Sequence, residues 1–245
     1  MRSMATKAAF VALAVAVLPL AGCGSNDTDS AQTSAPAASS APAGNGVTAL
    51  SPDEIVTKAK AALATAKSFH VKGDVAQDGE KTGIDLKLNG DDFIGAMTMG
   101  TAKVELLAVG GKKYMRPNDE FWTTAAGAQG KTVAQLVNGR WVAGADSDQS
   151  FADMFSIGDV NEMLKPTGAL SKGDEKQING VPALGLNDAG DPGSVLYVAT
   201  TGEPYPLQMV GSDKSTVDFT EFGETFTDIK APATKDVVDL GKLGG

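Results

Sequence analysis

The feature that most constrains the fold is a pattern of apolar residues at every second position. Apolar and polar side chains alternate from Ser68 to Ala76 and again from Ile84 to Leu88. This period of two is that of a half-buried β-strand. Asp78-Gly79 and Asn89-Gly90 separate neighbouring runs, and such dipeptides are strong hairpin signals. Further runs of this kind span 92–99, 102–109 and 112–116. The first half of the chain is therefore predicted to form an antiparallel meander.

A second set of strands is predicted after residue 168, with the turn Asn179-Gly180 between its first two members. Its runs are 169–178, 181–187, 194–200, 205–211 and 215–222. The segment between the two sets is irregular and helical instead, with short helices predicted at 119–126, 132–137, 150–155 and 159–164. Two runs of strands separated by a helical insert predict the α+β class rather than alternating βαβ units.

The folded region is predicted to open with a helix. Ser51 is a capping residue, Pro52 occupies the first helical position, and Glu54 is spaced to complete a capping box. Ile55 and Leu63 belong to an apolar face with helical spacing that follows this start. We therefore expect an amphipathic helix that packs on the sheet.

The N-terminal residues have the pattern of an export signal. Arg2 and Lys7 precede an uninterrupted apolar run from 8 to 18, which is too short to span a bilayer and suits a signal peptide. Residues 1–22 are accordingly predicted to be a signal peptide. Pro19 and the segment Leu-Ala-Gly-Cys at 20–23 follow the run, and this segment resembles the lipobox of bacterial lipoproteins, where the cysteine is acylated and becomes the mature N-terminus.

This resemblance makes Cys23 the predicted lipid anchor, with the protein exported and held on the outer face of the cell membrane. The alternative is an ordinary secretory signal followed by an incidental cysteine. Residues 23–49 have almost nothing apolar larger than alanine after the cysteine and are predicted to be a disordered tether. Residues 50–245 are predicted to form a single domain.

The composition excludes several classes of function. A formal charge of -9 disfavours a nucleic-acid binder, which needs a basic face. Because it has one cysteine and one histidine, the chain cannot form a disulfide framework or a cysteine- or histidine-rich metal site. His70 is the only possible histidine base and has no nucleophile near it in sequence. We therefore predict no catalytic residue, no metal site and no cofactor, and the protein is expected not to be an enzyme.

Several short motifs resemble the actinobacterial LppX/LprG lipoproteins, which are similar in fold to the LolA and LolB carriers. The motifs are Ala-Lys-Ser-Phe-His-Val-Lys-Gly at 66–73, Lys-Tyr-Met at 113–115 followed by Phe-Trp at 121–122, Ile-Asn-Gly-Val-Pro-Ala at 178–183, Gly-Glu-Pro-Tyr-Pro-Leu at 202–207, and Phe-Thr-Glu-Phe-Gly at 219–223 with Ala-Pro at 231–232. The resemblance spans about residues 50–240. It implies a curved antiparallel half-barrel with helices over its concave face and an apolar cavity between them. It also implies binding or carriage of an acylated lipid or glycolipid.

We expect the cavity to lie where the strand centres meet the helices. Six of the eight methionines fall in the predicted domain, and methionine suits an adaptable apolar surface, although each could equally fill an ordinary core. The residues predicted to line the cavity are Met97, Leu106, Met154, Phe155, Met163 and Leu164. The alternative function is an envelope interaction, scaffold or regulatory module whose half-barrel is filled by its own side chains.

Overall fold

The structure is a computed structural model that describes residues 43–77, 80–144 and 149–239. The predicted signal peptide, Cys23 and most of the predicted tether lie outside the described residues. So does the predicted turn at Asp78-Gly79.

One twelve-stranded sheet forms the framework, in the order β12-β6-β5-β4-β3-β2-β1-β11-β10-β9-β8-β7. The strands are β1 (Ser68–Gln77), β2 (Glu80–Asn89), β3 (Asp92–Met99), β4 (Ala102–Val109), β5 (Lys112–Pro117), β6 (Trp141–Ala143), β7 (Leu170–Ile178), β8 (Val181–Asp188), β9 (Val195–Ala199), β10 (Pro206–Val210), β11 (Thr216–Thr220) and β12 (Val237–Asp239). All pairings are antiparallel except that of β12 with β6. The end strands β12 and β7 do not pair with each other, so the sheet stays open.

Two meanders make up this sheet and meet at its centre. Strands β1–β5 form one and β7–β11 the other, and β1 pairs with β11 from His70–Thr220 to Gly73–Val217. The predicted α+β architecture, a half-barrel of antiparallel strands with helices, is therefore confirmed. Nearly all the strands lie where the period-two pattern placed them. The exceptions are β6 and β12, which the sequence analysis did not predict.

The helices are α1 (Pro52–Ala66), α2 (Asp119–Ala126), α3 (Gly130–Val137), α4 (Gln149–Met154) and α5 (Val160–Met163). The predicted capping box of α1 is present: the Ser51 backbone N–H donates to Glu54 Oε2 at 2.8 Å, and the Glu54 backbone N–H donates to Ser51 Oγ at 3.4 Å. At the start of α2, the Phe121 backbone N–H donates to the Asn118 side chain at 2.9 Å. Local capping chemistry thus fixes where these helices begin.

The main hydrophobic core lies between the sheet and the helices. It unites Leu106 and other inward residues of β1–β5 and β11 with Leu63 of α1, Val137 of α3 and Phe151 of α4. Strand β4 carries apolar residues on both of its faces. Its residue Leu107 packs on the opposite face in a smaller cluster with Tyr114 and Trp141.

The folded part begins earlier than residue 50. The Asn45 backbone N–H donates to the Thr200 carbonyl at 2.8 Å, and its side-chain amide donates to the Ala199 carbonyl at 3.0 Å. Val47 is only 1% exposed and packs with α1 and β8. A single valine among small and polar residues gives no periodic signal, which is why composition alone assigned this segment to the tether. Among the described residues, no helix is both long and apolar enough to cross a membrane.

Candidate functional site

The six residues predicted to line a cavity come together in the structure. Leu106, Phe155 and Leu164 are buried members of the main core, and the three methionines are partly buried against it. They meet because alternate residues of β3 and β4 point toward the helices, as a period of two requires. The predicted juxtaposition of strand centres and helices is therefore present.

The space around Leu106 is occupied by protein side chains. Leu106 is 0% exposed, and Met97, Met154 and Phe155 also lie outside the lining of the cleft described below. Aromatic rings fill this region, since the Phe155 ring centroid lies 5.9 Å from that of Phe93 and 5.1 Å from that of Phe151. Of the six residues, only Met163 and Leu164 line the cleft described below.

An open cleft of about 370 Å³ lies where several neighbouring strands of the sheet begin or end. Its walls come from the C-terminal ends of β1, β8 and β10, from the N-terminal ends of β9 and β11, and from Val56 of α1. The segment from Met163 to Thr167, which starts at the last residue of α5, borders it on the helix side; we call this the cover segment. The cleft thus lies between the cover segment and the second meander.

The interior of the cleft is apolar. Four buried residues contribute to it, from α1, the cover segment, β8 and β11: Val56, Leu164, Leu186 and Val217. Leu196 and Met209, on adjacent strands β9 and β10, are partly buried and face the same space. Residues at i and i+2 of a strand share a face, so the cleft continues the apolar helix-side face of the sheet.

Asp188 fixes the cover segment to the end of β8. Its Oδ2 accepts hydrogen bonds from the Thr167 backbone N–H at 2.7 Å and from the Thr167 hydroxyl at 3.0 Å, and its Oδ1 accepts one from the Gly190 N–H at 2.8 Å. The bond from the Thr167 backbone lowers the pKa of Asp188, so this carboxylate is charged at neutral pH. Since a lowered pKa favours the folded form only while the group is ionised, the clamp weakens as the pH falls through that pKa.

Acidic side chains surround the mouth of the cleft. Besides Asp188, the lining includes Asp191 in the β8–β9 turn and Asp213 in the β10–β11 turn. Asp74 of β1 also borders the cleft, but its side chain lies beside Gly83 on the opposite face of the sheet. Hydrogen bonds from the Ser215 hydroxyl and backbone N–H lower the pKa of Asp213. No local pattern in the sequence marks these acids as neighbours. Only the tertiary structure brings these segments to one opening.

Two glycines in the helical insert are needed for close packing. A Cβ at Gly130 would lie 2.2 Å from the Trp122 carbonyl oxygen, and one at Gly158 would lie 2.6 Å from the Phe93 ring. At these positions the helical insert packs closely against itself and against β3. Close contact therefore explains why glycine stands at both positions.

His70 lies on the opposite face, where the two meanders join. Its Nε2 is 2.6 Å from Asp85 Oδ1 on β2, and its Nδ1 is 3.5 Å from Glu221 Oε1 just after β11. Lys72 Nζ also contacts Asp85, at 2.8 Å. This cross-strand network suits a structural role. Within the described part of the chain, no three histidine, cysteine, aspartate or glutamate side chains are grouped to hold a metal ion.

Comparison with known protein families and with curated proteins gives no match. Solved structures do match. LprF from Mycobacterium bovis is 15% identical with a TM-score of 0.47, and the alignment covers 74% of this chain and 97% of LprF. The Mycobacterium tuberculosis lipoprotein LppX is 14% identical with a TM-score of 0.40, over 72% of this chain and 98% of LppX.

MucB, solved in complex with MucA, is 12% identical with a TM-score of 0.37, over 74% of this chain and 60% of MucB. LppX, whose family the sequence motifs resemble, is thus among the structural matches. At these identities the likeness is one of fold.

Proposed function

We propose that this chain is an exported lipoprotein, anchored to the outer face of the cell membrane through acylated Cys23, that binds an acyl chain in the cleft beside the cover segment. It does so without catalysing a reaction. The proposal rests on the leader and lipobox pattern for the anchor and on the shape and chemistry of the cleft for the ligand.

The observation that carries the binding function is the apolar cleft of about 370 Å³. Small-molecule sites span roughly 300–1,000 Å³, so this one falls at the small end. It suits a single chain better than a lipid with several chains. Burial of apolar surface supplies the affinity, at about 25 cal/mol per Å² before the entropic cost of association.

The interaction-module alternative requires an apolar docking surface. Among the described residues, the exposed large apolar side chains are Val75, Met99 and Leu136. They lie on β1, β3 and α3, and Val75 belongs to the cleft itself. The cleft is therefore the better candidate for the functional surface.

Filling the cleft is expected to abolish ligand binding. Met209→Trp places an indole where the apolar interior now lies, so the affinity for a fluorescent fatty-acyl probe should fall by about tenfold or more. The probe is titrated into the purified full chain, and native mass spectrometry of the wild type from its own host identifies any lipid that co-purifies.

Met99→Trp is the matched control, because Met99 lies at the end of β3, is 39% exposed and does not line the cleft. It should bind the probe like the wild type. If circular dichroism shows that Met209→Trp is misfolded, Val75→Trp replaces it, since Val75 borders the cleft and is also 39% exposed. Equal affinity in the wild type and a folded cleft variant would contradict the proposal. Absence of both saturable binding and bound lipid would favour the interaction module.

Loss of the cysteine is expected to remove the membrane anchor. Two acyl chains suffice for stable attachment, whereas the chain without them has no such anchor at residue 23. Cys23→Ser should therefore shift the protein from the membrane to the soluble fraction or leave it as an uncleaved precursor. Immunoblots of fractionated cells report both outcomes, and normal processing with unchanged membrane retention would argue against the anchor.

A further inference from the structure

The polar residues at the mouth of the cleft add a second property to the site. An acyl chain in the apolar interior leaves its polar end at this opening, because a charged or hydrated group is costly to bury. The groups at the mouth therefore decide which polar end is tolerated. This argument rests on the proposed function.

The charge balance at the mouth is negative. Asp188, Asp191 and Asp213 come from three separate segments, whereas Lys165 is the only basic residue among the described residues of the lining. Lys165 is already paired, with its Nζ 3.2 Å from Glu162 Oε2. Lys81 acts on Asp213 from nearby but does not line the cleft.

The basic residues of β5 do not alter this balance. Lys112, Lys113 and Arg116 are absent from the lining of the cleft. Arg116 is paired with Glu105 through its Nε, at 2.6 Å, and stacks over Trp141 on the far face of the sheet. An anionic polar end in the cleft would therefore meet like charges, and the one basic side chain among the described lining residues, Lys165, is already paired with Glu162.

We infer that the cleft selects single-chain amphiphiles with a positively charged polar end and disfavours those with an anionic one. The apolar interior holds the chain of either kind. The carboxylates at the mouth attract a cation and repel a carboxylate or phosphate, which is selection by repulsion as much as by attraction.

The test compares three probes that share one saturated alkyl chain: dodecyltrimethylammonium, dodecyl maltoside and dodecanoate. Each is titrated calorimetrically, below its micelle concentration, into the purified full chain. At low ionic strength the cation should bind about tenfold or more tightly than dodecanoate, with the neutral maltoside between them. Raising the salt to about 0.5 M should shrink this ratio, because screening weakens interactions at the open mouth.

Charge reversal at the mouth provides the variant. Asp191→Lys, in the β8–β9 turn that lines the cleft, should lower the ratio of cation affinity to dodecanoate affinity severalfold. Asp91→Lys is the control, since Asp91 is exposed in the β2–β3 turn and lies outside the cleft. It should retain the wild-type ratio.

The outcomes separate the two proposals. If the maltoside binds but dodecanoate binds as tightly as the cation at low salt, or if Asp191→Lys leaves the ratio unchanged, the charge selection is wrong and the acyl-binding function stands. If none of the three probes binds saturably, the acyl-binding function itself fails.

Discussion

Leu106→Asp is expected to prevent the chain from folding. Leu106 is 0% exposed and lies in the main core, with Gly95 of β3 and Met115 of β5 as its cross-strand neighbours. An aspartate there buries a carboxyl group among apolar side chains. The cost of several kcal/mol is comparable with the whole free energy of unfolding of a typical domain, about 5–15 kcal/mol. Leu106→Ala should remove roughly 2–5 kcal/mol.

Guanidinium unfolding followed by circular dichroism measures these effects. Leu136→Asp is the control, because Leu136 on α3 is 54% exposed, and its free energy of unfolding should change by less than about 1 kcal/mol. A folded Leu106→Asp protein with a cooperative transition near that of the wild type would show that the sheet centre is not a packed core. In that case a cavity at Leu106 would again be the better interpretation.

Gly73→Ala is expected to break the junction between the two meanders. A Cβ at Gly73 would lie 1.9 Å from the Thr216 carbonyl oxygen and 2.7 Å from Val217 Cα, both backbone atoms of β11. Backbone cannot yield as a flexible side chain does, so β11 must move away from β1. We expect a loss of about 3 kcal/mol or more in the free energy of unfolding, at or above the upper end for overpacking.

The neighbouring strand offers a matched substitution for comparison. Gly83 lies on β2, and a Cβ there would come no closer than 3.4 Å to Asp74 Oδ1, which is ordinary contact. Gly83→Ala should therefore stay within about 1 kcal/mol of the wild type in the same denaturation experiment. Two equally stable alanine variants would mean that β1 and β11 are not packed so closely.

Local patterns were sufficient to predict most of the elements. The alternation in 84–88 and the Asn179-Gly180 turn each mark their strands within a few residues, and Ser51 with Glu54 marks the start of α1. Strands β6 and β12 were not predicted, because each has only three residues and the two pair in parallel across a long stretch of chain. So short a run has no detectable period, and the pairing depends on tertiary contacts.

The candidate site was predictable only in part. Because Met163 and Leu164 are apolar, the sequence indicated that they pack next to the sheet. The structure places both of them there. Met163 and Leu164 line the cleft and Leu106 does not, because the aromatic rings of the helical insert fill the space at the centre of the sheet. The hydrogen bond between Thr167 and Asp188 also depends on the tertiary structure, because it joins residues that are 21 positions apart in the sequence. Neither contact leaves a trace in local sequence.

The position of β11 beside β1 has a consequence for how the chain reaches its native state. All of β2–β10 lies between these two central strands in sequence, so their pairing closes a very long loop, and topologies dominated by such contacts fold slowly. A chain that emerges from its N-terminus can assemble β1–β5 first, while the inner edge of β1 keeps its backbone groups unpaired until β11 arrives. An open edge of this kind is prone to pair with other chains. Assembly is therefore most vulnerable to aggregation just before its last central strand docks.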